Sequence, residues 1–240
     1  MLVSRDSPAR VRAGLLAALS YVEPSYTIIA LSPALRNTMA EMALREAAHQ
    51  SGRASTVTIV PGAASRDEVA VTRWKLYDSI RTEWITNVDD DDGVLGPYPL
   101  ATVPAKVGFV HSDVLGICTV ASGPWRPGDS FVRRGKTILE PNDAYLFKGS
   151  YYCFRRAAWE SVRKYAGTAT AFEEWRVVWH MLHLGWQDHY VPQVLQYQGL
   201  RDFQADLAAY RQAGVCWENE IAKMQQNWKG KGNGVRKCAY

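Results

Sequence analysis

The chain has no apolar run approaching the roughly 18 residues that a membrane-spanning helix needs. Its first residues pass at once from Met1, Leu2 and Val3 to Arg5 and Asp6, without the apolar stretch of a secretory signal. The expectation is a soluble, cytoplasmic protein with no membrane partner. Cysteine is sparse, and Cys118, Cys153, Cys216 and Cys238 show neither zinc-site spacing nor a disulfide framework, so they read as reduced thiols. No Pro/Gly/Ser-rich linker divides the 240 residues, which favours one large α/β domain over two small ones. Charge of one sign is barely in excess, with 28 Lys and Arg against 24 Asp and Glu. Apolar residues make up 47%, ample for a core.

What is present is an unusual run at residues 84–93, W-I-T-N-V-D-D-D-D-G. A short apolar approach carries Asp89, Asp90, Asp91 and Asp92 and is closed by Gly93. Adjacent like charges repel, and a fold tolerates them most readily around a cation. Oxygen-only ligands suit Mg2+, Mn2+ or Ca2+, and at a strand end Asp89 and Asp91 point to one side while Asp90 points to the other. An EF-hand loop fails on spacing, because it would need a carboxylate at Val88 and a glutamate at Pro99. The alternative reading is a solvated acidic turn.

Upstream, strand and helix patterns alternate. Residues 1–4 open as a strand. Val11, Leu15, Leu16 and Leu19 recur at helical spacing before Pro24, and residues 26–31 form a continuous apolar run of strand length. Residues 37–50 are helical, with Met39, Met42, Ala43 and Ala47 expected on the buried face and Gly52 just past the end. A strand at 56–60 closes on Pro61-Gly62. Ser65 and Glu68 suggest a capping box for a helix carrying Val69, Trp74, Leu76, Tyr77 and Ile80. The strand at 84–88 then delivers the acidic run. This alternation predicts a Rossmann-like, mostly parallel sheet with helices on both faces and ligands at the carboxyl ends of the strands.

An α/β half ending in an apolar strand and D-x-D resembles the nucleotide-sugar-dependent glycosyltransferases of the GT-A fold. Later segments match in the same order. Thr72-Arg73-Trp74 lies in the helix before the acidic strand, where such enzymes place an arginine that touches the nucleotide. Phe147-Lys148-Gly149-Ser150, followed by Phe154-Arg155-Arg156-Ala157, resembles the glycine-containing strand that abuts the sugar and leads into a helix. Phe172-Glu173-Glu174-Trp175 opens a helix where the family often has Glu-Asp, the site of the catalytic base. Gly185-Trp186, a strand from His189 to Leu195, and Tyr197 resemble the closing part of the core. The resemblance spans residues 1–200, the expected catalytic domain, with residues 201–240 as its helical, basic C-terminal extension.

The resemblance implies a metal-dependent hexosyltransferase. Asp91 would bind Mn2+ or Mg2+, with Asp89 on the ribose or the ion, Asp92 as a further ligand and His189 as a late histidine ligand. Arg5, Arg73, Lys148, Gly149 and Ser150 would contact the donor, a UDP-sugar. An acceptor hydroxyl must lose its proton during attack, and a carboxylate is the simplest base. Glu174 is the first choice and Glu173 its rival, since adjacent residues at a helix start point about 100° apart.

Other features carry two readings each. His180 and His183 stand three apart on the Glu174 helix, as ligands or as ordinary surface and core groups. Trp125, Arg126, Arg133, Arg134 and Lys136 form either a phosphate- or acceptor-binding loop or an exposed hairpin. Gln198-Gly199-Leu200-Arg201 has the outline of the Q-x-x-R of processive synthases, but Asp202 stands where their Trp belongs, and the match is taken as coincidence. The tail holds Lys223, Lys229, Lys231, Arg236 and Lys237 among Trp217, Trp228 and Tyr240. With 9 tryptophans in the chain, this points to DNA as acceptor, resembling the viral enzymes that glycosylate 5-hydroxymethylcytosine. The alternatives are a protein or glycan acceptor, a sugar nucleotidyltransferase, and a non-catalytic binding module. The nucleotidyltransferase would carry an N-terminal G-x-G-x-R loop, and Ser4-Arg5-Asp6-Ser7 has no glycine.

Overall fold

The computed structural model describes residues 2–3, 8–21, 26–65, 68–89, 92–118, 126–147, 151–167, 172–200 and 216–229. β1 (Leu2–Val3), β2 (Thr27–Leu31) and β3 (Val57–Pro61) form a parallel three-stranded sheet in that order. Helices α1 (Pro8–Tyr21) and α2 (Met39–Gln50) are its crossovers. Leu15 and Leu19 meet Leu44 and Ala47 over Ile29 and Leu31. Helix α2 starts at Thr38, whose hydroxyl accepts from Ala40 N at 3.2 Å. It turns inward a different face from the one expected. Met39 and Met42 are 66% and 61% exposed, whereas Ala40, Leu44, Ala47 and Ala48 are buried. That stripe has helical period, and its alanines let the backbone approach α1 more closely than methionines would.

The expected single, mostly parallel sheet gives way to two sheets, the second of them mixed. Its strands are β4 (Trp84–Asn87), β5 (Asp92–Val94), β6 (Val107–Cys118), β7 (Ser130–Arg133), β8 (Tyr152–Arg155) and β9 (Gln187–Leu200). They run in the order β4-β8-β6-β9-β5, with β7 on β6. β8 is antiparallel to β4 and β6, while β6 and β9 are parallel. A parallel neighbour needs a crossover of a dozen or so residues, usually a helix. Between β6 and β8 the described residues hold β7 and the 3-10 turn Pro141–Leu146 but no α-helix, and β8 pairs antiparallel to β6.

Because β4, β6 and β9 point the same way, their carboxyl ends share one edge of the sheet. One face packs Ile85, Phe109, Tyr152 and Phe154 under α3 (Val69–Ser79), α4 (Arg156–Val162) and α5 (Glu173–His183). The other buries Val107, Val110, Tyr151, Cys153, Val191 and Leu195, with Ala18 of α1 against them. Gly93, which closes the acidic run, lies under the ring of Tyr197, opposite it on β9, and a Cβ there would stand 1.9 Å from that ring.

Helix α6 (Trp217–Lys229) falls in the C-terminal extension, and its Trp217 and Met224 belong to the main core. The indole N–H groups of Trp74, Trp159, Trp175, Trp179, Trp186 and Trp217 all donate to acceptors within the protein. Trp179 and Trp217 both hold Asn142, in the 3-10 turn Pro141–Leu146. Cys118 and Cys153 are free and buried. Cys216 is disulfide-bonded, which corrects its reading as a reduced thiol. Among the described residues no helix is long and apolar enough to cross a membrane.

Candidate functional site

Helix α3, the end of β4 and the start of α5 converge on one guanidinium. Arg73 is 3% exposed. Its Nη2 donates to Asp89 Oδ1 at 2.9 Å, its Nη1 donates to Glu174 Oε1, and Glu173 Oε1 lies 3.6 Å from Nη1. Burial opposes its charge, but Asp89 and Glu173 outweigh burial and hold it firmly protonated. Its Nε is buried with no hydrogen-bond partner. The two glutamates stand in the first turn of α5, where the helix dipole favours anions. Phe172 enters that turn with φ of 58°, and its ring stacks on Trp175 at 5.0 Å.

A second line of bonds fixes Asp89 from below. Asn87 Nδ2 donates to Asp89 Oδ1 at 3.1 Å, Tyr77 Oη donates to Asn87 Oδ1 at 3.1 Å, and the hydroxyls of Tyr77 and Tyr152 are 2.8 Å apart. Burial pushes both phenols up, so they serve as neutral hydrogen-bonding groups. Asp89 keeps a side-chain exposure of 24%, and Glu173 and Glu174 keep 17% and 21%. The cluster is therefore three carboxylates held on one buried cation, each still open to solvent.

The structure thus brings together Arg73, Asp89, Glu173 and Glu174. Both glutamates reach Arg73, where one was expected to face away, because their long side chains span the angle between neighbouring helix positions. Arg73, the expected nucleotide contact, is held within the protein by these carboxylates. Asp92 is 3% exposed on β5, and its Oδ1 accepts from Gly199 N at 3.2 Å, tying it to β9. His189 is turned away. Its neighbours Asp188 and Tyr190 bond residues on the Asp89 face of the sheet, so by strand alternation His189 points to the opposite face with its partner Val110. Asp92 stays beside Asp89, its backbone N–H donating to Asp89 O at 3.4 Å, whereas the His189 side chain lies on the opposite face of the sheet from Asp89. Arg5, Asp90, Asp91, Lys148, Gly149 and Ser150 lie outside the described residues, as do Trp125 and residues 230–240.

Among the described residues no group of three or more His, Cys, Asp or Glu side chains is placed to hold a metal ion. Asp89 does fit such an ion as one oxygen donor: Arg73 and Asn87 engage Oδ1 alone, and the carboxylate remains partly exposed. His180 belongs to the core, 1% exposed and stacked on Tyr165 at 5.1 Å. Burial first, then Arg176 and His183, lower its pKa to about 4. His183 stacks on Trp179 at 4.9 Å.

A second polar group was not anticipated. Asp113, fully buried on β6, accepts from Tyr190 Oη at 2.5 Å, Gly135 N at 2.8 Å and Arg134 Nη1 at 2.6 Å. Burial raises its pKa, but these three donors outweigh burial and leave it below the ordinary carboxylate value. Beside it, His111 Nε2 lies 3.3 Å from Asp188 Oδ2, which also accepts from Ile138 N at 2.7 Å, while His111 Nδ1 is buried without a partner. The signal was in the sequence. H-x-D at 111–113 and D-x-Y at 188–190 place polar residues at alternate positions of largely apolar strands, which puts all four on one face. Asn87 pairs with Tyr152, and Val110 with Cys153, so Asn87, Tyr152 and His111 lie in one row across the sheet. Asp113, two residues beyond His111 on β6, lies on the face to which Asn87 and Tyr152 belong.

No protein-family model matches the sequence, and no curated protein matches it. Solved structures do share its fold. A mannosyltransferase from Pyrobaculum calidifontis, PcManGT, solved in complex with GDP-Man and Mn2+, is 13% identical with a TM-score of 0.60, over 97% of this chain and 64% of its own. TarS of S. aureus, residues 1–349, is 10% identical with a TM-score of 0.56, over 94% of this chain and 64% of its own. A mycobacterial protein is 14% identical with a TM-score of 0.53, over 97% and 74%. The chain thus spans 64% of the length of PcManGT and of TarS residues 1–349. Its mixed α/β architecture is the fold of the GT-A glycosyltransferases.

Proposed function

We propose that the protein is a glycosyltransferase that moves a hexosyl group from a nucleotide-sugar donor to an acceptor hydroxyl with a divalent cation. One observation carries the reading. Asp89, from the strand that leads into the acidic run, meets Glu173 and Glu174 of α5 on the single guanidinium of Arg73, at the carboxyl-end edge of a fold shared with a GDP-mannose-binding, Mn2+-binding mannosyltransferase.

In this reading Asp91, aided by Asp89, holds Mn2+ or Mg2+, which when bound supplies positive charge to the departing diphosphate. Asp89 is oriented by Arg73 and Asn87 toward the ribose or the ion. Glu174, held by Arg73, takes the proton of the acceptor hydroxyl, and Glu173 is its alternate. Arg5, Lys148, Gly149 and Ser150 stay in the proposal as donor contacts. The donor nucleotide is uridine by the sequence resemblance and guanosine by the bound neighbour, so both are to be tested.

The DNA acceptor draws less support. Six of the nine tryptophans are committed to internal hydrogen bonds, and Arg133 is partly buried against Gln198 at 2.5 Å. These side chains are not the exposed stacking and phosphate contacts a nucleic-acid surface uses, whereas Arg134 and Lys136 are exposed. Hydroxymethylated DNA and a protein or glycan hydroxyl therefore both belong in the assay panel.

Calorimetric titration with UDP and GDP, with and without Mn2+, tests the reading. Metal-dependent binding of one of them, lost in Asp91→Asn, is expected. If neither binds, only the non-catalytic module survives. A requirement for a nucleoside triphosphate and a sugar phosphate would mark a nucleotidyltransferase.

A further inference from the structure

The loop that follows β7, opening with Arg134-Gly135-Lys136, takes no part in the carboxylate cluster. Its foundation is Asp113, a fully buried carboxylate on a strand whose neighbouring positions include the apolar Val110 and Val114. Replacing a buried ion pair by apolar residues is often neutral or stabilising, so such a carboxylate is poorly explained by stability alone. Three donors fix it, and two come from consecutive residues of this loop, Arg134 Nη1 and Gly135 N. Register shifts flank Asp113 in its pairing with β9, an irregularity that commonly re-aims side chains beside functional sites.

The consequence is an immobilised cation at the surface. The Arg134 side chain is 69% exposed, yet its guanidinium is tied at 2.6 Å to a carboxylate that cannot move. One Nη is engaged, and the remaining N–H donors of the planar fork face outward. Gly135 lies flush on Tyr190, since a Cβ there would come within 2.6 Å of the tyrosine ring. Lys136, the next residue, is exposed and makes no ion pair among the described residues. Asp113, on which Arg134 is seated, lies two strands from β4 in the sheet order, and Arg134 and Lys136 make no ion pair with Asp89, Glu173 or Glu174.

We propose that Arg134, seated on Asp113, and its neighbour Lys136 form an oxyanion site separate from the Asp89 cluster, and that the acceptor carries a phosphate group near the hydroxyl to be glycosylated. The acceptor assignment rests on the glycosyltransferase reading; the oxyanion site does not. Phosphate chemistry could also come from the donor, so the test separates the two sources.

Equilibrium dialysis with radiolabelled inorganic phosphate, without metal, should show saturable binding. Arg134→Gln should weaken it roughly tenfold, the effect of one charge-assisted bond, and Lys136→Gln several-fold. Both substitutions lie on exposed side chains, and unchanged thermal melts would show that the fold is intact. Saturating GDP or UDP with Mn2+, whichever binds, should leave phosphate bound. Displacement by the nucleotide would move Arg134 to the donor diphosphate and overturn the acceptor assignment. Absence of saturable phosphate binding in the wild type, or full binding in both variants, would overturn the site itself. Phosphate binding without any nucleotide binding would sink the transferase reading and the acceptor assignment, while the oxyanion site would stand.

Discussion

Arg73→Met removes the cation that, among the described residues, pairs with Asp89, Glu173 and Glu174. In the native protein Asp89 Oδ1 and Glu174 Oε1 each bond a separate Nη, and Glu173 Oε1 stands 3.6 Å from one of them. Without the guanidinium, two unit negative charges remain roughly 5 Å apart, worth about 3 kcal/mol of repulsion at an effective dielectric of about 20. Their exposure of 17–24% favours screening toward the lower side of that figure. The expected loss is therefore about 2–3 kcal/mol at neutral pH, measured by urea unfolding. Its response to salt is diagnostic. Repulsion between partly exposed carboxylates is screened by added salt, so the deficit relative to wild type should shrink as ionic strength rises. Arg73→Lys should fall in between, because one ammonium cannot bridge Asp89 and Glu174 as a planar fork does. A deficit that is the same at low and high salt would mean that only packing was lost and would refute the electrostatic account.

Three further outcomes are expected. Glu174→Gln should cut turnover by roughly 10²–10⁴ while donor affinity, measured by calorimetry, stays near wild type; a larger loss in Glu173→Gln would transfer the role of base to that residue. His180 is neutral when folded, with a pKa of about 4, so its contribution is complete above the unfolded value near 6.5 and is lost as pH falls toward 4. That interval corresponds to about 3 kcal/mol, and His180→Phe, which preserves the stack on Tyr165, should flatten the acid limb of the stability profile; an unchanged limb would rule His180 out as its cause. Gly135→Ala drives a Cβ to 2.6 Å from the Tyr190 ring and should lower stability by about 1–3 kcal/mol in thermal melts, whereas a wild-type melt would show that the loop does not rest on that ring.

Features that depend on near neighbours were legible in the chain. The strand that carries Asp89, the helices before it, and the two glutamates opening α5 follow from periods of 2 and 3.6 and from the flanking residues alone. Alternation would also have placed His111 with Asp113, and Asp188 with Tyr190, on single strand faces. The face of α2 was misjudged because methionine and alanine are both acceptable to a core. Only the nearness of α1 favours the alanines there.

Composition and local pattern determined that this is one α/β chain with an acidic strand end and a glutamate-led helix, because those properties need no knowledge of distant residues. The tertiary structure decided that β8 pairs antiparallel between β4 and β6, and that Arg73 meets Glu174 across 101 positions. It also set Asp113 against Tyr190 across 77 and turned His189 from Asp89. Strand order and register are chosen by the burial of whole sheet faces, and a shift of one residue would exchange every side chain between them. No local spacing encodes that choice, so which polar groups meet at a site was left to the packing of the complete chain.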